Sequence, residues 1–201
     1  AINDYGNSRL SAATSSFTPA FTRGLFMGGQ SEKNTIDYIN ISSASNAIDF
    51  GDLSQYRQFT HAIASDTRAV SINGSISGNN YSNIMEYVTM ASTSNTTDFG
   101  DTTNGLKESA GASNDVRGIS SYSGKSGGSS NDATIDHITI ASTGNAVDFG
   151  TASVSRGDIA GNINSSTRAV FAGGYSESGG NRDTIDYLEI GSLGNSVDFG
   201  N

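Results

Sequence analysis

The chain has 201 residues, of which 34% are hydrophobic and 25 are glycine, with one proline, no cysteine and no tryptophan. Its net charge of −9, from 20 acidic and 11 scattered basic residues, leaves no basic stripe to neutralise phosphates, which argues against a nucleic-acid partner. Without cysteine there is no disulfide framework or thiolate metal site, and no apolar run is long enough to span a membrane. The opening Ala1-Ile2-Asn3-Asp4 shows no signal-peptide pattern. Ile, Val, Thr, Tyr and Phe recur in short bursts between Gly/Ser/Asn clusters, and no window holds a 3.6-residue apolar period. The expected class is therefore all-β, almost without helix.

In chain order, the first predicted element is a spare outer strand over residues 1–6, carrying Ile2 and Tyr5. Its phrase Ile2-Asn3-Asp4-Tyr5-Gly6-Asn7 echoes Val197-Asp198-Phe199-Gly200-Asn201 at the other end. Four units of roughly 50 residues follow, at about 7–51, 52–100, 101–150 and 151–201. Each closes on the same triplet: Asp49-Phe50-Gly51, Asp98-Phe99-Gly100, Asp148-Phe149-Gly150 and Asp198-Phe199-Gly200. In phase with it run Ile36-Asp37-Tyr38-Ile39, Met85-Glu86-Tyr87-Val88, Ile135-Asp136-His137-Ile138 and Ile185-Asp186-Tyr187-Leu188. A third landmark is an arginine opening an apolar burst, at Arg23, Arg68, Arg117 and Arg168. Each unit divides into four strand-sized pieces, in the last unit Ser155–Asn164, Thr167–Gly174, Thr184–Ser192 and Asn195–Gly200. The first two are joined by a tight polar turn such as Ala64-Ser65-Asp66-Thr67. Four antiparallel strands per unit make a β-propeller blade, whose strands carry apolar residues on both faces, as Ile36, Tyr38, Ile39 and Ile41 do.

The run Arg57-Gln58-Phe59-Thr60-His61-Ala62-Ile63-Ala64, followed by Arg68-Ala69-Val70, resembles the opening strands of a kelch repeat. Gly28-Gly29 and Gly173-Gly174 stand where kelch repeats carry a double glycine, and Tyr38 and Tyr187 follow at about the spacing of the kelch tyrosine. The kelch tryptophan is missing, with Phe50, Phe99, Phe149 and Phe199 in its place. The second and third units carry Asn73-Gly74 and Tyr122-Ser123 instead of the double glycine. The phrases Thr134–Gly150 and Thr167–Tyr175 are similar to kelch-like repeats in tail and other structural proteins of marine bacteriophages. The resemblance implies a four-bladed kelch-like propeller with the Arg57-type strand at the axis and the Asp-Phe-Gly strand at the outer edge. The repeats leave open whether the blades close within one chain. The last blade already owns an outer strand, so the spare strand with Ile2 and Tyr5 is a candidate for exchange between subunits; the alternative is that the chain is a section of a longer array.

Several motifs look chemical, and each has a structural reading. Arg156-Gly157-Asp158 spells an adhesion tripeptide but sits in register with Arg57-Gln58-Phe59, at the head of an axial strand. The stretch Gly118–Ser126 imitates a phosphate-binding loop without the helix that would follow, and Gly124–Gly128 a nucleophile elbow without a base. Asp49, Asp98, Asp148 and Asp198 are read as turn residues whose side chains accept backbone amides beside a permissive glycine. Arg23, Arg68, Arg117 and Arg168 are read as partners of Asp37, Glu86, Asp136 and Asp186, or of the edge aspartates. His61 and His137 are read as strand histidines.

What varies between repeats is the connection from second to third strand: Gln30–Asn34, Ser75–Asn83, Gly124–Ala133 and Tyr175–Asp183. These loops make Tyr81, Lys125, Tyr175 and Arg182 candidate ligand contacts. The expectation is a non-enzymatic chain without cofactor or metal. It would act as a structural or assembly module of a virion or extracellular particle, self-associating or binding other particle proteins. The alternative is a propeller that binds a cell-surface receptor or glycan through the variable loops.

Overall fold

The computed structural model describes residues 22–29, 33–76, 80–121, 123–125, 131–159, 161–176 and 179–201. The spare strand with Ile2 and Tyr5 lies outside them. The first blade shows β1 (Arg23–Gly29), β2 (Lys33–Asn40) and β3 (Ile48–Asp52). The second has β4 (His61–Ala64), β5 (Arg68–Ile72), a small hairpin of β6 (Ser75–Ile76) and β7 (Asn80–Tyr81), then β8 (Ile84–Thr89) and β9 (Thr97–Asp101). The third opens with β10 (Leu106–Lys107) and runs through β11 (Ala110–Ser113), β12 (Arg117–Ser121), β13 (Ser123–Lys125), β14 (Asn131–Asp132), β15 (Thr134–Thr139) and β16 (Val147–Thr151). The fourth has β17 (Gly161–Asn164), β18 (Arg168–Ala172), the hairpin β19 (Tyr175–Ser176) and β20 (Gly180–Asn181), then β21 (Ile185–Glu189) and β22 (Val197–Gly200).

The main sheets are antiparallel meanders of order β1-β2-β3, β4-β5-β8-β9, β11-β12-β15-β16 and β17-β18-β21-β22. β11 lies against both β4 and β17, so the first strands gather around an axis, as the blade reading requires. Two boundaries differ from the expectation. Strand pairing at the axis begins at His61 and Gly161, because Arg57 and Arg156 turn inward and are fully buried. The connections expected as loops in the second to fourth units are themselves short β-hairpins.

The Asp-Phe-Gly triplet builds a β-bulge. In every blade the ladder slips at the same place: Ile36 pairs with Gly51 and Asp37 with Asp49, and Phe50 is skipped. The same slip falls at Met85/Glu86, Ile135/Asp136 and Ile185/Asp186. A bulge re-aims the side chain beside it, and Phe50, Phe99 and Phe149 are turned onto the next blade. Phe50 joins Ile36 and Leu53 against Ala69, Val88 and Met90. Phe99 joins Ile72 and Met85 against Ile138, Ile140 and Ala146. Phe149 joins Ile119 and Ile135 against Ala169, Phe171, Leu188 and Ile190. Each ring also meets the aromatic side chain opposite it edge-on, Tyr38, Tyr87 or His137. Burying each phenylalanine stabilises its interface by roughly 2–3 kcal/mol.

Candidate functional site

Two kinds of arginine hold this array. The first lies within a blade. Arg57, fully buried, places Nη2 2.5 Å from Glu86 Oε2, while its Nη1 donates to the carbonyls of Asn73 and Ile84. Arg156 repeats this with Asp186 at 2.6 Å and the carbonyls of Gly173 and Phe171. The Ser54 amide donates to Glu86, and the Ser153 hydroxyl to Asp186. In the third blade the same position is Leu106, also buried. Asp136 then has no arginine, and the amide and hydroxyl of Thr103 donate to it. Burial raises the Asp136 carboxyl above its ordinary pKa, against the Thr103 bonds and helped by the nearby charges of Asp148 and Asp132.

The second kind joins blades. Arg23 Nη1 donates to the Met90 carbonyl at 2.7 Å, Arg68 to Ile140 at 3.1 Å and Arg117 to Ile190 at 2.8 Å. Each guanidinium also lies over a ring of its own blade: Tyr38, Tyr87 and Phe149 respectively. The expected pairing of these arginines with Asp37, Glu86, Asp136 and Asp186 is therefore corrected. Arg57 and Arg156 hold two of those acids from the other side of the sheet. The turn chemistry is corrected too. The amides of Asp52, Asp101 and Thr151 are taken by the side-chain oxygens of Asn95, Asn145 and Asn195 of the following blade, each at 3.0 Å. Asp49, Asp98, Asp148 and Asp198 stand exposed. The triplet glycine is needed because the next turn approaches so closely. A Cβ on Gly51, Gly100 or Gly150 would come within 2.3, 2.5 and 2.3 Å of a carbonyl oxygen of that turn. The recurring Asn46, Asn95, Asn145 and Asn195, at spacings of 49, 50 and 50 residues, was the sequence signal for this contact; Arg57 and Arg156 were the signal for the buried pair.

At the ends of the arc the same residues stand open. Phe199 is 57% exposed, against 2%, 2% and 3% for Phe50, Phe99 and Phe149. A Cβ on Gly200 would meet nothing within 4 Å. Arg168 bonds Glu189 of its own blade, a pair 45% exposed on both sides. On the first blade Ile41 is 66% exposed, where Met90, Ile140 and Ile190 are 7%, 0% and 0%. Phe26 is exposed where Phe171 is buried, and Ala47 is exposed where Ala146 and Ser196 are buried; Asn46 is exposed, as Asn95, Asn145 and Asn195 also are. Of the apolar residues expected on both faces of this strand, Ile36 is buried, Tyr38 and Ile39 are half-buried and Ile41 is exposed.

The ligand candidates sit on separate hairpins. Tyr81, half-buried on β7, lies 5.4 Å from Lys107 Nζ, which also approaches the exposed Phe59 ring at 5.8 Å. Lys107 is held by Glu108 at 2.8 Å, a bond that raises its pKa. Lys125 lies on β13, where only the backbone is described. Tyr175 is exposed on β19, and its backbone bonds Gly157 in both directions. Arg182, half-buried, follows β20 and packs over Gly179. Of Arg156-Gly157-Asp158, the arginine is buried and Gly157 makes an isolated bridge to Tyr175, while Asp158 is exposed at φ 50°, ahead of β17. His61 is held by the Ser109 hydroxyl at 2.7 Å, and burial lowers its pKa to about 4. His137 stacks edge-on to Phe149. A cavity of about 310 Å³ near the axis is lined mainly by small and apolar residues such as Ala62, Ala64, Gly111 and Ala112. Among the described residues no cluster of His, Cys, Asp and Glu could hold a metal.

Comparison with family models and with curated proteins finds no match. Among solved structures the chain is similar to YjhT, a kelch-repeat β-propeller protein, at a TM-score of 0.74 and 6% identity. The match covers 90% of this chain and 63% of that one, so the chain spans less than two thirds of the structure it matches. The likeness shows the fold, a kelch-type β-propeller architecture.

Proposed function

We propose that the chain is a non-catalytic structural module that assembles through its blade faces, in a virion of the phage-tail type or an extracellular particle. The observation that carries this reading is the state of the repeated residues. Within the arc the triplet phenylalanines, turn asparagines and strand-opening arginines are spent on blade-to-blade contact. On the fourth blade the equivalent Phe199 and Arg168 lie in solvent, and on the first so does Ile41. Exposed Phe26, Ile41 and Phe199 have the character of interaction sites. The similarity of Thr134–Gly150 and Thr167–Tyr175 to repeats of marine bacteriophage structural proteins supports the virion setting. Negative-stain microscopy of the purified chain tests it: defined oligomers or filaments are expected, and dispersed single particles at every concentration would refute it.

A second reading, receptor or glycan binding, is favoured by the exposed aromatic rings Tyr56, Phe59 and Tyr175 and by Lys107 between Phe59 and Tyr81. Aromatic faces beside a cation and polar hairpins suit sugar stacking. It predicts that changing Tyr81, Tyr175 and Arg182 abolishes cell or glycan-array binding and leaves assembly intact.

A further inference from the structure

The open face of the fourth blade and the open face of the first are the two halves of the interface that the molecule repeats three times inside itself. We propose that the fourth blade of one molecule docks on the first blade of a second copy of this chain, in the register of the internal interfaces. This rests on the assembly reading and names its partner and geometry.

The pairs can be read position by position. Phe149 packs on Leu188 and Ile190; Phe199 would pack on the second copy's Ile39 and Ile41, which occupy those positions of the first blade. Gly150 approaches the Gly194 carbonyl; Gly200, with space for that approach, would meet the carbonyl of Ser45. The Thr151 amide bonds Asn195; the equivalent Asn201 amide would bond the exposed Asn46. Arg117 donates to the Ile190 carbonyl; Arg168 would leave Glu189 and donate to the Ile41 carbonyl. Apolar contact, backbone approach, amide acceptor and arginine staple thus each have one half at either end. A partner of unrelated chemistry would not call for that correspondence. The contact is heterologous, so it propagates from copy to copy unless the ring closes.

The test is light scattering over a concentration series on the wild type, Phe199→Asp and Ile41→Asp. Both substituted side chains are exposed, and an unchanged circular-dichroism melt verifies the fold. The wild type should associate with rising concentration, and each variant should lose association. An equimolar mixture of the two variants should recover a two-chain species that does not grow, because only one junction remains intact. Should a variant lose its fold, mixing Asn46→Cys with Asn201→Cys, in a chain otherwise free of cysteine, should give an intermolecular disulfide. A wild type that associates while either variant still does so, or while the mixture recovers nothing, overturns head-to-tail docking but leaves the assembly reading standing. A wild type that stays monomeric overturns self-docking. If it then associates on removal of Ala1–Asn7, the chain's own first segment occupies the site.

Discussion

Replacing Arg57 by methionine isolates the buried ion pair of the second blade. Methionine keeps much of the aliphatic stem but removes the Nη2 contact to Glu86 and the two bonds to the carbonyls of Asn73 and Ile84. Glu86 keeps only the Ser54 amide, at 3.2 and 3.4 Å, in a site closed to water. Removing one partner of a buried pair costs about 3–5 kcal/mol, because the other charge is left uncompensated. For a chain of this size each kcal/mol moves the thermal midpoint by about 2–4 °C, so Arg57→Met should melt about 6–20 °C lower. Calorimetry at pH 7 reads the loss. A midpoint within about 2 °C of wild type at pH 7, no lower than that of the exposed Arg168→Met, would refute the reasoning, since exposed pairs contribute about 0–1 kcal/mol. Adding Glu86→Leu should recover part of the loss, as removal of both partners leaves no buried charge.

Four further outcomes follow from the same contacts. Asp136→Asn should stabilise the chain at neutral pH and not near pH 4, because the raised folded pKa of Asp136 makes its ionisation a cost that appears as pH rises; melts across that range check it. Gly100→Ala should destabilise far more than Gly200→Ala. Both have φ near the same positive value, so backbone strain cancels and the difference reports the clash with the Gly144 carbonyl in urea titrations. Asn145→Ala should cost about 1 kcal/mol by loss of the Asp101 amide acceptor, and Asn46→Ala should leave the dilute monomer's melt unchanged. Glu189→Thr, which restores the residue found at Thr89 and Thr139, should free Arg168 and tighten self-association measured by light scattering.

The blades were legible because each landmark recurs in phase, and four copies of a triplet in register define an edge strand without any structure. The assignment of the arginines was not, for a reason of parity. Arg68 pairs across the ladder with Thr89, and Glu86 lies three residues from Thr89. Alternate residues of a strand face opposite sides of the sheet, so Arg68 and Glu86 point to different neighbours. One-dimensional spacing brings them together and the pleat separates them. The burial of Arg57 was hidden because its partner Glu86 lies 29 residues away in sequence and only the folded blade brings the two together. The hairpins carrying Tyr81 and Tyr175 were hidden because their strands are only two residues long, too short to show a period. The double-glycine position was read correctly in kind: Asn73 adopts φ 57° where Gly28 and Gly173 adopt 71°, which asparagine tolerates and β-branched residues do not.

The ends of the arc argue from the same parity. A terminal repeat built to face water exchanges its apolar positions for polar ones. The described ends make no such exchange; Glu189, in place of the exposed Thr89 and Thr139, holds Arg168 within its own blade. They keep Phe199, Ile41, Gly200 and Asn46, and the first blade places Phe26 where the second and third bury serine at Ser71 and Ser120. Exposing two phenylalanines and an isoleucine gains a solvated surface nothing, whereas covering them recovers the transfer free energy of each ring and side chain. Glu189 therefore sets a threshold rather than a stop. Arg168 must exchange a solvated carboxylate for a carbonyl when a neighbour arrives, a trade close to neutral, and the apolar contacts decide the outcome.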